Sequence, residues 1–296
     1  MVSGATRPRS RTRRPLRPTQ LAITFVTYLM LCIGLVIFLF PFYNMIIGSF
    51  KDTSEIMTSK LRLLPKVWKV ENLVELFRRV PFQRNLLNTL IVATISTALS
   101  LFLCSLGGFA FAKLQFPGRN ILLTIMLSTM MIPAIVTFIP QYLLFFNLKL
   151  IDTYVPLTIG AWLGGGAFMI FLLRQFIMSI PRDLDEAATI DGAGPFRILW
   201  SVLVPLMKPA LTTVAILQFL TDWNDFFGPF IYLNTMTRYT AAVGLRTFQN
   251  MALETTDPRD HLLMAGAAIM TIPVLVLFAV AQRYFVSGVV LSGLKV

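Results

Sequence analysis

The chain has 296 residues, of which 56% are hydrophobic and only 14% are charged. A soluble domain usually carries about 25% charged residues, so this composition excludes an ordinary soluble globular protein. A net charge of +12 would suggest a nucleic-acid partner for a soluble chain. Here much of the charge lies outside the apolar segments, where membrane topology explains it, and we expect no nucleic-acid partner.

Six apolar segments reach or approach the roughly 20 residues that a helix needs to cross a bilayer. Lipid offers the backbone amides no partner, which favours helices, and the segments lack the alternating polarity of barrel strands. The sequence therefore predicts an all-α, polytopic membrane bundle of about six transmembrane helices. Their expected bounds are 21–49, 86–112, 119–146, 154–176, 209–233 and 262–286.

The expected organisation is a cytoplasmic, disordered tail over residues 1–20 and a transmembrane domain over 21–296. Six arginines in the tail directly precede the first span, and the positive-inside rule places them in the cytoplasm, close to anionic membrane lipid. Six spans then bring the C-terminus back to the same side. Loop 50–85 becomes extracytoplasmic and loop 177–208 cytoplasmic. The eight Lys and Arg residues of loop 50–85 weigh against this topology. The predicted orientation therefore relies on the arginines that precede the first span, because the first span often sets the orientation of the whole chain.

Proline and glycine positions predict irregularities inside two spans. Pro133 and Pro140 each remove a backbone donor from the third span and tend to kink it. Gly160 and Gly164 have the small-xxx-small spacing that lets another helix approach closely. These features suit a bundle that rocks between states, and they suit static packing equally.

The sequence has few Cys and His residues that could bind a metal and no motif that would bind a nucleotide. Cys32 and Cys104 fall inside predicted spans, where they are expected to be small core residues. His261 is the single histidine, so we expect no metal site. No G-x-x-x-x-G-K-[ST] pattern is present to hold nucleotide phosphates. We therefore expect no enzyme and no cofactor in this chain, and an intramembrane enzyme would need clustered reactive groups that the spans do not show.

Residues 181–205 have the sequence signals of a short helix, a turn and a second helix. Asp183 can cap the first helix or complement its dipole. Ala187 and Ala188 leave one face nearly bare, and Gly192 ends the helix. The result is a small knob, acidic at one end and smooth on one side, that fits a groove on another protein.

This loop resembles the EAA loop of ABC importer permeases, whose pattern is E-A-A, three residues, G, nine residues and I-x-L-P. The chain has Glu186-Ala187-Ala188, then Gly192, then a segment from Val202 to Pro205 in which valines replace Ile and Leu. Further landmarks extend the resemblance over about residues 21–296 and favour the maltose-type (MalG-like) carbohydrate permeases. They are Ser49-Phe50-Lys51, Phe116-Pro117-Gly118, Asp222-Trp223-Asn224-Asp225, Tyr239-Thr240, Gly244-Leu245 and Gln282-Arg283-Tyr284-Phe285. The tail, residues 289–296, departs from the family pattern.

The resemblance implies a type I ABC importer fold in the bacterial cytoplasmic (inner) membrane. It implies a permease subunit that forms half of the pathway for a sugar, an oligosaccharide or a related solute such as glycerol phosphate. The implied partners are a second homologous permease subunit, an extracytoplasmic substrate-binding protein, and two ATP-binding subunits that hold ATP and Mg.

In such importers the EAA loop is the coupling helix, which sits in a groove of the ATP-binding subunit. Glu186 would pair there with a basic group, Ala187 and Ala188 would permit close approach, and Gly192 would make the turn. Asp183 and Asp191 complete the expected coupling set.

A polar and aromatic cluster near the end of the fifth predicted span is the candidate for the substrate pathway. Ionisable groups next to a span are functional candidates, and sugars bind to such mixtures of rings and polar groups. The alternative is an interfacial belt, because Trp and Tyr also gather at lipid headgroups. The cluster comprises Asp222, Trp223, Asn224, Asp225, Phe226 and Tyr232.

The main alternative function is an ion-driven secondary transporter. Such a protein should show paired broken spans or carboxylates near the middle of the membrane. The absence of acidic residues in the middle of the predicted spans counts against it.

Overall fold

The computed structural model describes residues 18–56, 62–162, 166–247 and 259–293, with side chains omitted for 18–21 and 283–293. All regular secondary structure in these ranges is helical, so the predicted all-α class is confirmed. Most of the predicted tail lies outside them. The helices are α1 (Pro18–Gly48), α2 (Thr53–Ile56), α3 (Glu71–Arg79), α4 (Phe82–Lys113), α5 (Arg119–Ser128), α6 (Ala134–Asn147), α7 (Val155–Trp162), α8 (Ala167–Met178), α9 (Asp183–Ile190), α10 (Pro195–Leu206), α11 (Lys208–Trp223), α12 (Phe227–Tyr232), α13 (241–247) and α14 (Asp260–Gly293).

The helices long and apolar enough to cross a membrane agree with the predicted bundle. Four such helices are Ala22–Gly48, Phe82–Lys113, Val155–Met178 and Asp260–Gln282, the third of which includes the undescribed residues 163–165. Two bent helix pairs raise the number of possible spans in the described ranges to six. Length and composition therefore support a polytopic membrane protein.

The first bent pair interrupts the third predicted span. Arg119–Met131 and Ala134–Asn147 meet at 96°, and the break lies at Pro133, which has the extended backbone that ends a helix. This kink confirms the expectation for Pro133. Pro140 lies inside α6, which continues through it.

The fifth predicted span, 209–233, is wrong as one continuous helix. One bend of 83° precedes the predicted span, between Pro195–Leu206 and Lys208–Trp223. A second break lies inside it, since α11 ends at Trp223 and α12 begins at Phe227. At this break Oδ1 of Asp225 accepts a 3.2 Å hydrogen bond from the backbone N–H of Gly228 in the first turn of α12, whose N-cap is Phe226.

Helix α4 is the centre of the bundle, where it packs against α7, α8 and α11. Small residues allow the closest approach. A Cβ placed on Gly108 would lie 3.1 Å from Cβ of Leu173 and 3.2 Å from the backbone N of Arg174 in α8. Nothing in the described chain lies within 4 Å of a Cβ placed on Gly160, so no helix of this chain uses the close approach that its spacing allows. Helix α7 buries Thr158 and Ala161 instead; Gly164 lies outside the described residues.

Two hydrophobic cores lie at different ends of α4. The first surrounds the end of α4 that is followed by α5 and contains Cys104, Phe109, Leu173, Ile177, Ile180, Ile198, Leu199, Leu203, Met207, Ala210 and Val214. The second lies at the start of α4 and contains Leu76, Val80, Phe82, Ala241, Leu262 and Ala265. Cys104 is therefore a core residue as predicted, whereas Cys32 is exposed on α1. Most described side chains of α1 are exposed, because α1 packs mainly on α14.

The segment between α1 and α4 is held against the bundle by polar contacts. Nδ2 of Asn72 donates to the carbonyl oxygens of Ser49 (2.9 Å) and Lys51 (3.0 Å), so the start of α3 is fixed to the end of α1. Lys69 forms an ion pair with Asp52, and its hydrogen bond holds the pKa of the Asp52 carboxyl well below its usual range. Leu76 of α3 is fully buried.

Candidate functional site

Helix α9 has a defined start and a defined stop. Arg182 occupies the N-cap without a side-chain hydrogen bond, so Asp183 does not cap the helix; it lies with Asp185 and Glu186 in a first turn whose negative charge suits the dipole. At the other end Gly192 has a φ of +79°. Its N–H donates to the carbonyl of Thr189 (3.0 Å), and the next N–H, of residue 193, donates to residue 188 (2.9 Å). These two bonds form a Schellman motif, so Gly192 ends the helix as predicted.

The faces of α9 have different environments. Ala188 packs against the first hydrophobic core. The opposite face presents Asp183, Glu186, Ala187 and Ile190, which follow the i, i+3, i+4, i+7 spacing of one helical face and are all exposed. Asp191 and Gly192, also in the predicted coupling set, are exposed at the C-terminal end of the helix. The knob expected from the sequence is therefore present, and Asp183 and Glu186 of its acidic first turn are exposed.

Two large apolar side chains on this knob were missed by the sequence reasoning. Ile190 is 87% exposed, and Phe196 at the start of α10 is 71% exposed. The available signal was an apolar residue in a polar loop, placed where a water-facing helix would carry a polar one. Exposed apolar side chains beside an acidic turn are typical of a protein-binding surface.

A partly buried ion pair joins α9 to α4, and it was not predicted from the sequence. Nζ of Lys113, the last residue of α4, pairs with Oδ2 of Asp185, and the two side chains are only 12% and 17% exposed. The pair borders a cavity of about 280 Å³ that Arg119, Arg182 and Glu186 also line. No sequence signal joins Lys113 to Asp185, since the contact arises from the fold.

The candidate substrate residues on α11 face in different directions. Trp223 is almost fully buried, and its Nε1 donates to the carbonyl of Met270 in α14 (3.2 Å). Asp222 accepts a 2.8 Å hydrogen bond from Nε2 of Gln218 within the same helix. Asn224 is exposed and donates to the carbonyl of Leu220 (2.8 Å). Trp223 thus connects two helices, while the polar groups mainly serve their own helix end.

The remaining members of that set belong to α12 and its surroundings. The ring of Tyr232 lies 5.5 Å from the rings of Phe138 and Phe145 in α6. Phe226 stacks on Phe230 at 5.1 Å, and Asp225 accepts the hydrogen bond from Gly228 in the first turn of α12. Trp223 lines a cavity bordered by α3, α4 and α14, whereas Phe226 lines another beside α13. These two side chains of the set therefore face different cavities.

A carboxylate that the sequence did not single out fixes the loop after α12. Oδ1 of Asp152 accepts hydrogen bonds from the N–H groups of Asn234 and Thr235, both at 3.0 Å, and Oδ2 lies 3.0 Å from Nη1 of Arg238. Burial alone would raise the pKa of Asp152, but hydrogen bonds from Thr235 and Asn234 outweigh it and hold the pKa below its usual value. This loop is thereby anchored to the α6–α7 turn.

The described residues contain no group of three or more His, Cys, Asp or Glu side chains able to hold a metal. The main feature of the site is thus the exposed α9 knob, joined to the central helix α4 through Lys113 and Asp185.

Comparison with known proteins places these features in a family. The model of the binding-protein-dependent transport system inner membrane component family matches residues 104–290. The arabinooligosaccharides transport system permease protein AraQ of Bacillus subtilis (strain 168) is 33% identical over 88% of this chain and 91% of its own length. The sn-glycerol-3-phosphate transport system permease protein UgpE of Escherichia coli O1:K1 / APEC is 31% identical over 90% and 96%.

A solved structure has the same fold along nearly the whole chain. It is the crystal structure of a bacterial ABC transporter involved in the import of the acidic polysaccharide alginate. The similarity covers 92% of this chain and 100% of the other, with a TM-score of 0.79 and 25% sequence identity.

Proposed function

Since the chain belongs to the family of binding-protein-dependent transport system inner membrane components, we propose that it forms half of the translocation pathway of an ABC importer for a sugar or related solute. The family consists of permease components, not enzymes. The observation that carries the proposal is an exposed α9 knob within a fold that matches an ABC importer along 92% of the chain.

The proposed solute class is a sugar, an oligosaccharide or a glycerol phosphate. Its support is chemical agreement among similar proteins, whose names specify arabinooligosaccharides, sn-glycerol 3-phosphate and alginate. All three are hydroxyl-rich, and two carry negative charge. A substrate-binding protein, as the family's description indicates, would deliver the solute from outside.

The proposed energy source is ATP hydrolysis in two separate subunits, which would hold the ATP and Mg. The α9 face formed by Asp183, Glu186, Ala187 and Ile190 is exposed and would dock in a groove of such a subunit. Glu186 would pair there with a basic side chain, and Ala187 has no side chain long enough to obstruct the approach. A second permease subunit would complete the pathway, with the termini of this chain in the cytoplasm.

Charge reversal at Glu186 tests this proposal. In the complete transporter, reconstituted in proteoliposomes with internal ATP, we expect uptake of arabinotriose, maltotriose or sn-glycerol 3-phosphate. Glu186→Arg should lower that uptake at least about tenfold, because a charge-assisted contact contributes about 1.5–3 kcal/mol and 1.4 kcal/mol is a factor of ten. The amount of the variant in the membrane should stay unchanged.

Glu71→Arg is the matched control, because Glu71 is also exposed in the first turn of a helix but belongs to α3. It should transport normally. Normal uptake by Glu186→Arg would contradict the docking role. Uptake that needs an ion gradient and proceeds without ATP would instead support a secondary transporter.

A further inference from the structure

We propose that Lys113 and Asp185 form a positioning ion pair, through which a displacement of α9 is passed to α4. This inference rests on the proposed function, in which an ATP-hydrolysing partner grips α9. In this proposal the two neighbouring carboxylates contact different surfaces: Asp185 would face the bundle and Glu186 would face the partner.

The burial of the pair distinguishes it from the other ion pairs of the described residues. The side chains of Lys113 and Asp185 are 12% and 17% exposed. Each of the other three pairs has a partner that is 39% exposed or more: Lys69–Asp52, Arg79–Glu75 and Arg238–Asp152. Exposed pairs contribute little, whereas removing one member of a buried pair leaves a charge without compensation. Lys113–Asp185 is therefore expected to be the costliest of these four pairs to break, because it is the least exposed.

The carboxylate of Asp185 depends strongly on this lysine. Its Oδ1 is buried and finds no hydrogen-bond donor within the described part of the chain, so Oδ2 carries the whole interaction. A buried acceptor without a partner is costly, and losing Lys113 would remove the ion-pair partner of Oδ2 as well. The expected response is that α9 shifts until water or another cation reaches the carboxylate.

The contacts around the pair give a direct mechanical route. Helix α9 has eight residues, and its apolar contact through Ala188 is non-directional, which permits sliding. The ion pair adds a fixed point at the end of α4. Nζ of Lys113 also lies 3.4 Å from the carbonyl of Ile180, and Nε of Arg174 donates to the carbonyl of Phe111 (3.2 Å). These links join α9, α4 and α8, and α4 contacts α7 and α11 as well.

The first experiment measures coupling in the complete transporter reconstituted in nanodiscs and proteoliposomes. Lys113→Gln and Asp185→Asn should each lower the number of solute molecules moved per ATP hydrolysed by roughly tenfold, while the ATPase subunit still co-purifies with the permease. Lys113→Arg, which keeps the charge, should retain coupling. The same solute panel serves as probe, and Glu75→Gln, which removes the exposed α3 pair, is the matched control.

The second experiment measures the connection itself and needs no solute. With Cys32→Ser and Cys104→Ala, spin labels at the exposed positions Thr94 in α4 and Thr189 in α9 report the distance between the two helices. Without nucleotide and after trapping with ATP and vanadate, the otherwise unchanged chain should give one equally narrow distance. Lys113→Gln should broaden it or add a second distance in the trapped state.

The double variant Lys113→Asp/Asp185→Lys keeps the test decisive if single variants are poorly inserted. Restored insertion together with restored coupling supports the proposal, and restored insertion without coupling overturns it. Unchanged coupling in Lys113→Gln also overturns it. If the proposed function itself failed, the unsubstituted complex would contain no ATPase subunit and would trap no nucleotide, which is a different result.

Discussion

Gly192 shows how one residue sets the shape of the α9 knob. Its φ of +79° lies in the left-handed region, and nothing lies within 4 Å of a Cβ placed there. Conformation, not space, therefore requires glycine at this position. The Schellman hydrogen bonds that follow turn the chain from α9 toward α10, so the backbone of Gly192 determines where Phe196 stands relative to Glu186.

Replacing Gly192 by valine should destabilise this turn by about 1–2 kcal/mol, the cost of a left-handed conformation for an L-residue. In a pull-down with the ATPase subunit, we expect Gly192→Val to weaken association about tenfold. Gly194→Ala is the control, because Gly194 has an extended backbone (φ −73°, ψ 167°) and open space around it. Equal binding by both variants would show that the turn geometry is unimportant.

Sequence patterns predicted those residues whose role follows from local chemistry. Gly192 and the exposed Glu186 could be found because a helix stop and an acidic first turn are signals within a few residues. Lys113 and Asp185 could not, because their contact depends on how α9 folds back onto the end of α4. The positions of Asp222 to Asp225 could be predicted only as a group, since the directions of their side chains depend on where α11 ends and α12 begins.

At the scale of elements, the contact between α4 and α8 depends on small residues. Gly108 lies so close to α8 that a Cβ would come within 3.2 Å of the backbone N of Arg174. Backbone atoms cannot move aside as a side-chain tip can, so a larger residue must separate the helices. The ion pair at the end of α4 and the core around Leu173 both lie along this contact.

Gly108→Leu should therefore destabilise the permease by about 1–3 kcal/mol, the usual cost of overpacking. Thermal unfolding of the purified permease in detergent measures this as a lower midpoint temperature. Gly34→Leu in α1 is the matched control, because nothing lies within 4 Å of a Cβ at Gly34. A midpoint unchanged by Gly108→Leu would mean that the two helices are less close than described.

The length of an apolar segment was enough to predict the long helices. The segments that became α1, α4 and α14 were found because lipid requires long apolar runs. The third span was found with its break, since Pro133 removes a donor. The fifth predicted span extends ten residues beyond the end of α11, because apolar composition continues through 227–232, where the separate helix α12 begins at Phe227.

For the whole molecule, the number of crossings decides which side each end occupies. Four helices and two bent pairs are long and apolar enough to give up to six crossings among the described residues. With all six, the C-terminus would lie on the same side of the bilayer as the N-terminal arginines. The 32-residue α4 spans about 48 Å at 1.5 Å per residue, which is long enough to cross a bilayer, so we propose that α3 and α9, at its two ends, lie on opposite sides of it.

We expect a phosphatase reporter, active only outside the cytoplasm, to be inactive when fused after Val296 and active when fused after Val67. The physical reason is the retention of six arginines before the first span on the cytoplasmic side. A green fluorescent reporter that folds only in the cytoplasm should give the reverse pattern. Phosphatase activity after Val296 would invert the topology and place α9 out of reach of any cytoplasmic ATPase.

Ile190 and Phe196 also bear on how such a transporter is made in the cell. The two side chains are 87% and 71% exposed. They would give a newly inserted subunit an exposed apolar patch until another polypeptide covered it. Chaperones and proteases recognise such patches. A surplus copy of this chain, synthesised without partner subunits, would thus be degraded. Subunit ratios would then be set by turnover as well as by synthesis.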